Sequence, residues 1–238
     1  MLNKIEMKNK FSEKVLLFAG SILLLLLSCN ENVLNETPLD FLSPENAYTK
    51  PEHIKQGIND LHSTARHLYA NNGTTTFILF ANGTDQAYNG EDPVSAGTMN
   101  NYEVGCRPTG NPISYYWNLF YTVINRANAY IEAIDEIDEE KWRNDEEKNA
   151  LLAEVLFFRA YANRCIVYLW GDAPLLTKST NYAKVDFVRA PKADIYEQIE
   201  EDLTFATENL PVRGKEEAPG RITQGAAWHF LSEIYLAQ

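Results

Sequence analysis

Positive charge is scarce in this 238-residue chain: 21 Lys and Arg stand against 33 Asp and Glu, a net charge of −12 at neutral pH. A surface this acidic repels phosphate backbones and anionic lipid headgroups, which disfavours nucleic-acid binding. Cysteine is scarcer still, limited to Cys29, Cys106 and Cys165. Cys106 and Cys165 could pair in an oxidising compartment, but two cysteines are no disulfide framework. Cys165 lies in an apolar helical stretch and reads more simply as a small buried hydrophobe. The four histidines offer no metal site. His62 and His67 are five positions apart, roughly 140° around a helix, His53 sits on an opening turn, and His229 lies far off beside Trp228. No Gly-x-Ser-x-Gly elbow marks a serine hydrolase, and no glycine-rich run followed by lysine marks a phosphate cradle. Carboxylate pairs suited to glycoside hydrolysis carry no specificity in so acidic a chain. Asp135, Asp138, Glu139 and Glu140 read as solvated turns. No cofactor is implied, and the enzyme alternative, a glycan hydrolase, has no distinctive motif behind it. Finally, no apolar run reaches the roughly 20 residues of a bilayer-spanning helix.

The greasiest run, Val15 to Leu27, is interrupted only by Gly20 and Ser21. Lys4, Lys8, Lys10 and Lys14 precede it, with Met7 a second possible start, so residues 1–28 read as a signal peptide. The run stops at Leu26-Leu27-Ser28-Cys29, which resembles the bacterial lipobox. That resemblance implies cleavage after Ser28 and acylation of Cys29 on its thiol and new amino group; an ordinary secretory signal is the alternative. Several acyl chains anchor firmly where one is only marginally retained. Residues 29–42 then read as a polar, lipidated leash. Without the leader, 17 basic and 31 acidic residues remain, a net charge of −14.

Residues 43–238 read as a mostly α domain of stacked antiparallel helix hairpins. Thr49-Lys50-Pro51-Glu52 fits a capping box, followed by an apolar stripe of Ile54, Ile58, Leu61, Ala65 and Leu68. From Trp117, the residues Phe120, Val123, Ile124, Ala127, Ile131 and Ile134 form a second stripe. A third helix is predicted from Asn144, with Glu147 completing a capping box, to the breaker Gly171. Ile195, Ile199, Leu203 and Ala206 mark a fourth, closing at Leu210-Pro211, and Thr223 opens a fifth. Two hairpins, 117–170 and 192–238, suggest a tetratricopeptide-like solenoid, although the strict consensus is not visible. The chain stops inside an apolar helix at "YLAQ", so the sequence is expected to be the N-terminal portion of a longer protein. Residues 71–116 differ: apart from "FILFA" they are rich in Asn, Gly, Thr, Pro and Tyr. Loops longer than roughly 15 residues are usually functional or disordered.

Several segments resemble the SusD/RagB family of Bacteroidetes outer-membrane lipoproteins. "WNLFYTVINRANAYIEAI" is similar to the family's Trp–Tyr–Ile–Asn helix, here Trp117, Tyr121, Ile124 and Asn128. "AEVLFFRAYANRCIVYLWGDAPLL" is similar to its most characteristic stretch, with Ala153, Glu154, Arg159, Ala160, Gly171, Asp172 and Pro174 in place. "RAPKADIYEQIEEDLTFATENLP", "GRITQGAAWHFLSEIYLA" and the start "SCNENVLNETP" follow suit, in family order. The resemblance implies a surface-exposed, helical, non-catalytic binding lipoprotein on the outer membrane. Such a protein would capture oligosaccharides or peptides and pass them to a SusC-like TonB-dependent transporter. An envelope scaffold using its hairpins only for protein–protein binding is the alternative.

Most of these motif residues read as structural. Trp117 and Tyr121, one turn apart, suit packing. Glu154 and Arg159 in so apolar a helix need partners across the hairpin, Asn128 or Arg126 being within reach, because an unpaired buried charge costs several kcal/mol. Ligand contact is expected instead from "TDQAYNGED" and "MNNYEVG", whose Asp85, Gln86, Tyr88, Asn89, Asn100, Asn101 and Tyr102 combine rings that stack on sugar C–H faces with groups that bind hydroxyls. The other use of such a stretch is a loop built from Asn and Gly turns, or a contact with the transporter.

Overall fold

The stripe of Ile54, Ile58 and Leu61 is fully buried and belongs to helix α1, Pro51–Ala70. A computed structural model of the chain describes residues 47–70, 81, 83–88, 102, 106–108 and 111–238. The signal peptide, the leash and Cys29 lie outside them. After α1 come α2 (Asn111–Glu136), a 3-10 turn at Glu139–Lys141, α3 (Asp145–Trp170), α4 (Lys192–Asn209) and α5 (Gln224–Ala237).

Each helix packs on the next, and α1 also reaches α3. Side-chain contacts set the directions. Asp60 and Thr64 of α1 meet Arg126 of α2, while Tyr48 just ahead of α1 meets Tyr130, so α1 and α2 are antiparallel. Trp117 near the start of α2 packs edge-on against Trp170 at the end of α3, with centroids 5.1 Å apart. Gln224 at the start of α5 donates to Thr207 near the end of α4. Lys55 and His62 of α1 pair in order with Glu147 and Glu154 of α3, which makes those two helices parallel. Phe157 and Arg164 of α3 likewise pair with Phe230 and Glu233 of α5. Alternate helices therefore run parallel and consecutive ones antiparallel, the stack expected of helical hairpins.

Helix α3 is the centre of the stack. From Ala153 to Ala160 every side chain is buried, as in a helix surrounded on all sides. Its start is capped by the Asn144 side chain, which accepts from the Glu147 N–H at 2.9 Å. Glu147 answers through the Arg143 N–H at 3.0 Å, one residue earlier than the predicted box. At α1 the expected Thr49–Glu52 box is replaced: the Thr49 N–H donates to His53 Nδ1 at 3.3 Å, and Glu52 is exposed. Helix α2 begins at Asn111, six residues before the predicted Trp117. Proline at position 112 is well placed in such a first turn. Asp135, Asp138, Glu139 and Glu140 are exposed, as solvated turns should be. Cys106 and Cys165 are not joined in a disulfide, and burial pushes the Cys165 thiol up to about 11.

One glycine is dictated by contact. A Cβ on Gly57 would lie 2.8 Å from the Tyr130 ring, so only glycine allows α1 and α2 to approach this closely.

Candidate functional site

The strap 171–191 that joins α3 to α4 is irregular yet held at short intervals. Gly171 adopts φ 68°, ends α3 through its N–H bond to Val167 and opens the turn. Asp172 accepts from the Lys192 N–H at 2.8 Å, supplying the cap that Pro191 lacks a side chain to give. Ala173, fully buried, bridges to Ala190, whose N–H reaches its carbonyl at 2.9 Å. Pro174 offers its carbonyl to the Tyr121 hydroxyl at 2.8 Å. Further along α2, Asn125 holds both the N–H and the carbonyl of Thr180, and Glu132 accepts from the Ser179 N–H and hydroxyl. Asn128 donates to the carbonyls of Leu176 and Lys178 at 2.9 and 3.1 Å. The Trp–Tyr–Ile–Asn and Gly–Asp–Ala–Pro residues are thus two halves of one clamp, with Ile124 in the core. Burial holds the Tyr121 phenol well above its ordinary range, so it stays a donor.

Two charge networks radiate from α3, and the first braces the clamp from behind. Arg159 donates to both oxygens of Asp202 at 2.6 and 2.8 Å and to Asn128 Oδ1 at 3.0 Å. All three residues are buried. Burial pushes the Asp202 carboxyl up against the pull of Arg159 and Gln198. Glu154 instead meets His62 Nε2 at 2.7 Å, Arg221 Nε at 2.8 and 2.9 Å and the Ile222 N–H at 3.2 Å. Burial alone would raise Glu154, but the donors outweigh it and its carboxyl lies below the ordinary 4.5. Asn128 is therefore the partner of Arg159, as expected, while Arg126 pairs with Asp60 and not with Glu154. Among the described residues, Lys55, Glu147, Glu154, Glu217 and Arg221 line a polar cleft of about 360 Å³, and these five charges satisfy one another. No group of three metal-ligating side chains occurs among the described residues.

Of the expected ligand residues, Asp85, Gln86, Tyr88 and Tyr102 are described, whereas Asn89, Asn100 and Asn101 lie outside the described residues. Thr84 closes a turn on the Ala81 carbonyl through its N–H at 3.3 Å and its hydroxyl at 2.7 Å. Its hydroxyl also accepts from the Gln86 N–H at 3.2 Å. Gly83, at φ 79°, supplies the left-handed residue of that turn. Tyr102 donates its hydroxyl to the Gly83 carbonyl, tying two distant parts of the loop region together. Asp85 and Gln86 are exposed, and Tyr88 and Tyr102 are 75% and 70% exposed. Tyr102 has φ 56°, a strained backbone for a bulky residue.

A family model described as starch-binding and associating with the outer membrane, of the SusD-like class, matches residues 39–236. The chain belongs to the SusD-like family. A SusD-like protein P2 of Formosa agariphila is 27% identical over 226 residues, covering 91% of this chain and 42% of that protein. A SusD-like protein of Bacteroides ovatus is 25% identical, covering 96% and 40%. The chain thus spans about two fifths of the length of the curated relatives it matches. Among solved structures, a SusD homologue of Bacteroides thetaiotaomicron superposes with a TM-score of 0.67 at 22% identity, covering 81% of this chain and 37% of that one. A laminarin-binding SusD-like protein gives 0.66 at 24% identity, covering 79% and 40%. At these identities the two structures establish the fold, mostly α and SusD-like. No helix among the described residues is long and apolar enough to cross a membrane.

The strap contacts Asn125, Glu132, Thr180 and Phe187 were missed by the sequence reading. Asn125 and Glu132 had a signal, since Tyr121, Asn125, Asn128 and Glu132 recur at helical spacing as a polar column beside the apolar stripe.

Proposed function

We propose that this SusD-like protein is a lipoprotein held by Cys29 on the outer face of the outer membrane. There it captures oligosaccharide and hands it to a SusC-like TonB-dependent transporter. The observation that carries the reading is the pair of tyrosines in the loop region. Tyr88 and Tyr102 expose most of their rings, and Tyr102 is fixed by its bond to Gly83 and by a costly backbone conformation. A ring held rigid and presented to water loses little entropy on stacking against a sugar. Strain of this kind persists where the surroundings enforce it and points to function. Asp85 and Asn89 of "TDQAYNGED" and Asn101 of "MNNYEVG" would bind sugar hydroxyls. The laminarin-binding relative and a neighbour solved with xyloglucan oligosaccharide make neutral glycans the first class to try. The role is binding and transfer, without covalent chemistry.

Native affinity gels loaded with glycans, peptides as the other ligand class, test the reading. Retention of the native chain by a glycan and its loss in the Tyr88→Ala/Tyr102→Ala variant is the expected result. Unchanged retention in the variant would remove the tyrosines from the site, and retention only by peptide would change the ligand class. Gentle detergent extraction with mass spectrometry should recover a large barrel protein in near-equal amount, and an acylated Cys29.

A further inference from the structure

The strap and α2 also enclose a recess that neither the loop tyrosines nor the charge networks use. Trp117, Tyr121 and Asn125 form its helical wall, and Pro174, Leu176, Thr180 and Phe187 the strap side. Its volume is about 260 Å³, under the roughly 300–1,000 Å³ of pockets that take drug-sized ligands, so it suits a single ring. None of these seven side chains is charged, in a chain where 23% of residues are. The walls are preformed. Asn125 grips the Thr180 backbone and Tyr121 the Pro174 carbonyl. Trp117 is wedged edge-on against Trp170 at 5.1 Å and tilted against Tyr121 at 4.8 Å. Phe187 stays 42% exposed, with Lys184 Nζ 5.5 Å from its ring centre. Two polar groups remain uncommitted: the Trp117 indole N–H and the Thr180 hydroxyl have no partner among the described residues and are reached by solvent.

We propose that this recess is a second sugar subsite, which stacks one uncharged pyranose ring on Phe187 and Trp117 and takes its hydroxyls on the indole N–H and Thr180 Oγ1. The assignment rests on the glycan-binding reading above and narrows it. Apolar walls with a few placed polar groups are the usual make-up of a small-ligand site. A carboxylated or sulfated sugar would lose water here with no counter-ion among the lining side chains, Lys184 standing outside them beside Phe187, which is costly. The ligand of this recess is therefore a neutral glycan.

The test is calorimetric titration of the full chain with laminarin oligosaccharides, xyloglucan oligosaccharides and an oligogalacturonide. The same titrations follow in Phe187→Ala and Thr180→Val. Phe187 is half out of the core, and Thr180→Val keeps the backbone that Asn125 grips, so both variants should fold; far-UV circular dichroism checks this. Phe187→Ala should weaken a neutral oligosaccharide about tenfold, the scale of a lost aromatic contact with its buried area. Thr180→Val should weaken it less, and the oligogalacturonide should not bind at this recess in any form. Native affinity in both variants overturns the subsite while leaving the loop reading intact. A native chain that binds no glycan removes both. Loss of a co-purifying barrel protein with glycan affinity unchanged would give the recess to the transporter contact and also overturn the subsite.

Discussion

Glu154 and Arg159 leave α3 five residues apart, about 140° around the helix, and reach opposite kinds of surroundings. Glu154 points to α1 and the connection before α5, at the edge of a polar cleft, and gathers donors from His62, Arg221 and the Ile222 N–H. Arg159 points to α2 and α4, into a closed region where Asp202 and Asn128 take its bonds. Burial opposes the charge on both carboxylates, yet it prevails only at Asp202, while at Glu154 the donors prevail. What differs is the company: Glu154 draws on three separate groups, whereas Asp202 has one guanidinium and Gln198 and also feels the like charge of Glu201. The comparison separates two roles on one helix. Arg159 locks the interior that positions the strap clamp, and Glu154 fastens the first helix and the last connection to the middle of the stack.

The largest effect should come from breaking the closed side. Arg159→Ala leaves Asp202 buried without its counter-charge and strips one bond from Asn128, a loss of about 3–5 kcal/mol. Urea unfolding at unchanged slope should show the midpoint falling by that loss divided by the slope. Because Asn128 also grips Leu176 and Lys178, strap amides should exchange faster with solvent in the variant. Arg159→Lys keeps the charge but loses the two-pronged geometry, so it should recover only part of the stability. A native midpoint in Arg159→Ala would mean that the closed network is incidental to the fold.

Breaking the open side should cost less. Glu154→Gln keeps the shape, removes the charge that holds Arg221 and His62, and should cost about 1.5–3 kcal/mol, the worth of hydrogen bonds to a charged group. The loss should localise to α1 and the 210–223 connection, read as hydrogen exchange there with the strap unaffected. Equal exchange throughout the chain would merge the two networks into one.

How far these networks were legible in the sequence follows from periodicity. The apolar stripes of α1 to α5 repeat at three and four residues because each helix buries one face, and that repetition located every helix among the described residues. Glu154 and Arg159 stood out for the same reason, as charges inside an unbroken apolar run. Their partners did not. Asp202 is one of four acids in "EQIEED", and only its phase, three residues after Ile199, marks it as inward-facing. Arg221 lies in a connection with no period at all, so nothing local ties it to Glu154. The loop tyrosines were legible as chemistry and not as geometry, since Asn- and Gly-rich turns satisfy their backbones locally. The bond between Tyr102 and Gly83 spans 19 residues, beyond the reach of any local rule. Phe187 carried no signal, because an aromatic residue in an irregular segment has no face to be counted on.

The finest distinction between the two networks is their response to acid. The folded Glu154 carboxyl lies below its ordinary 4.5 because His62 and Arg221 outweigh burial. A group depressed on folding contributes stability at pH above its unfolded value, and that contribution is lost as pH falls through the folded value. Glu154 should therefore make the chain progressively less stable below about pH 4.5. Asp202, raised by burial, acts in the opposite sense: its folded form holds the proton more tightly, so acidification returns some stability through it. Glu147, also depressed because its bonds to the Arg143 N–H and Lys55 outweigh burial, adds to the acid sensitivity. Thermal melts between pH 3 and 7 should thus fall less steeply in Glu154→Gln than in the native chain, and Asp202→Asn, less stable throughout, should fall more steeply because the offset from Asp202 is gone. If Asp202→Asn is the variant that flattens the profile, the acid-labile charge belongs to the closed side, and the assignment of the two roles must be exchanged.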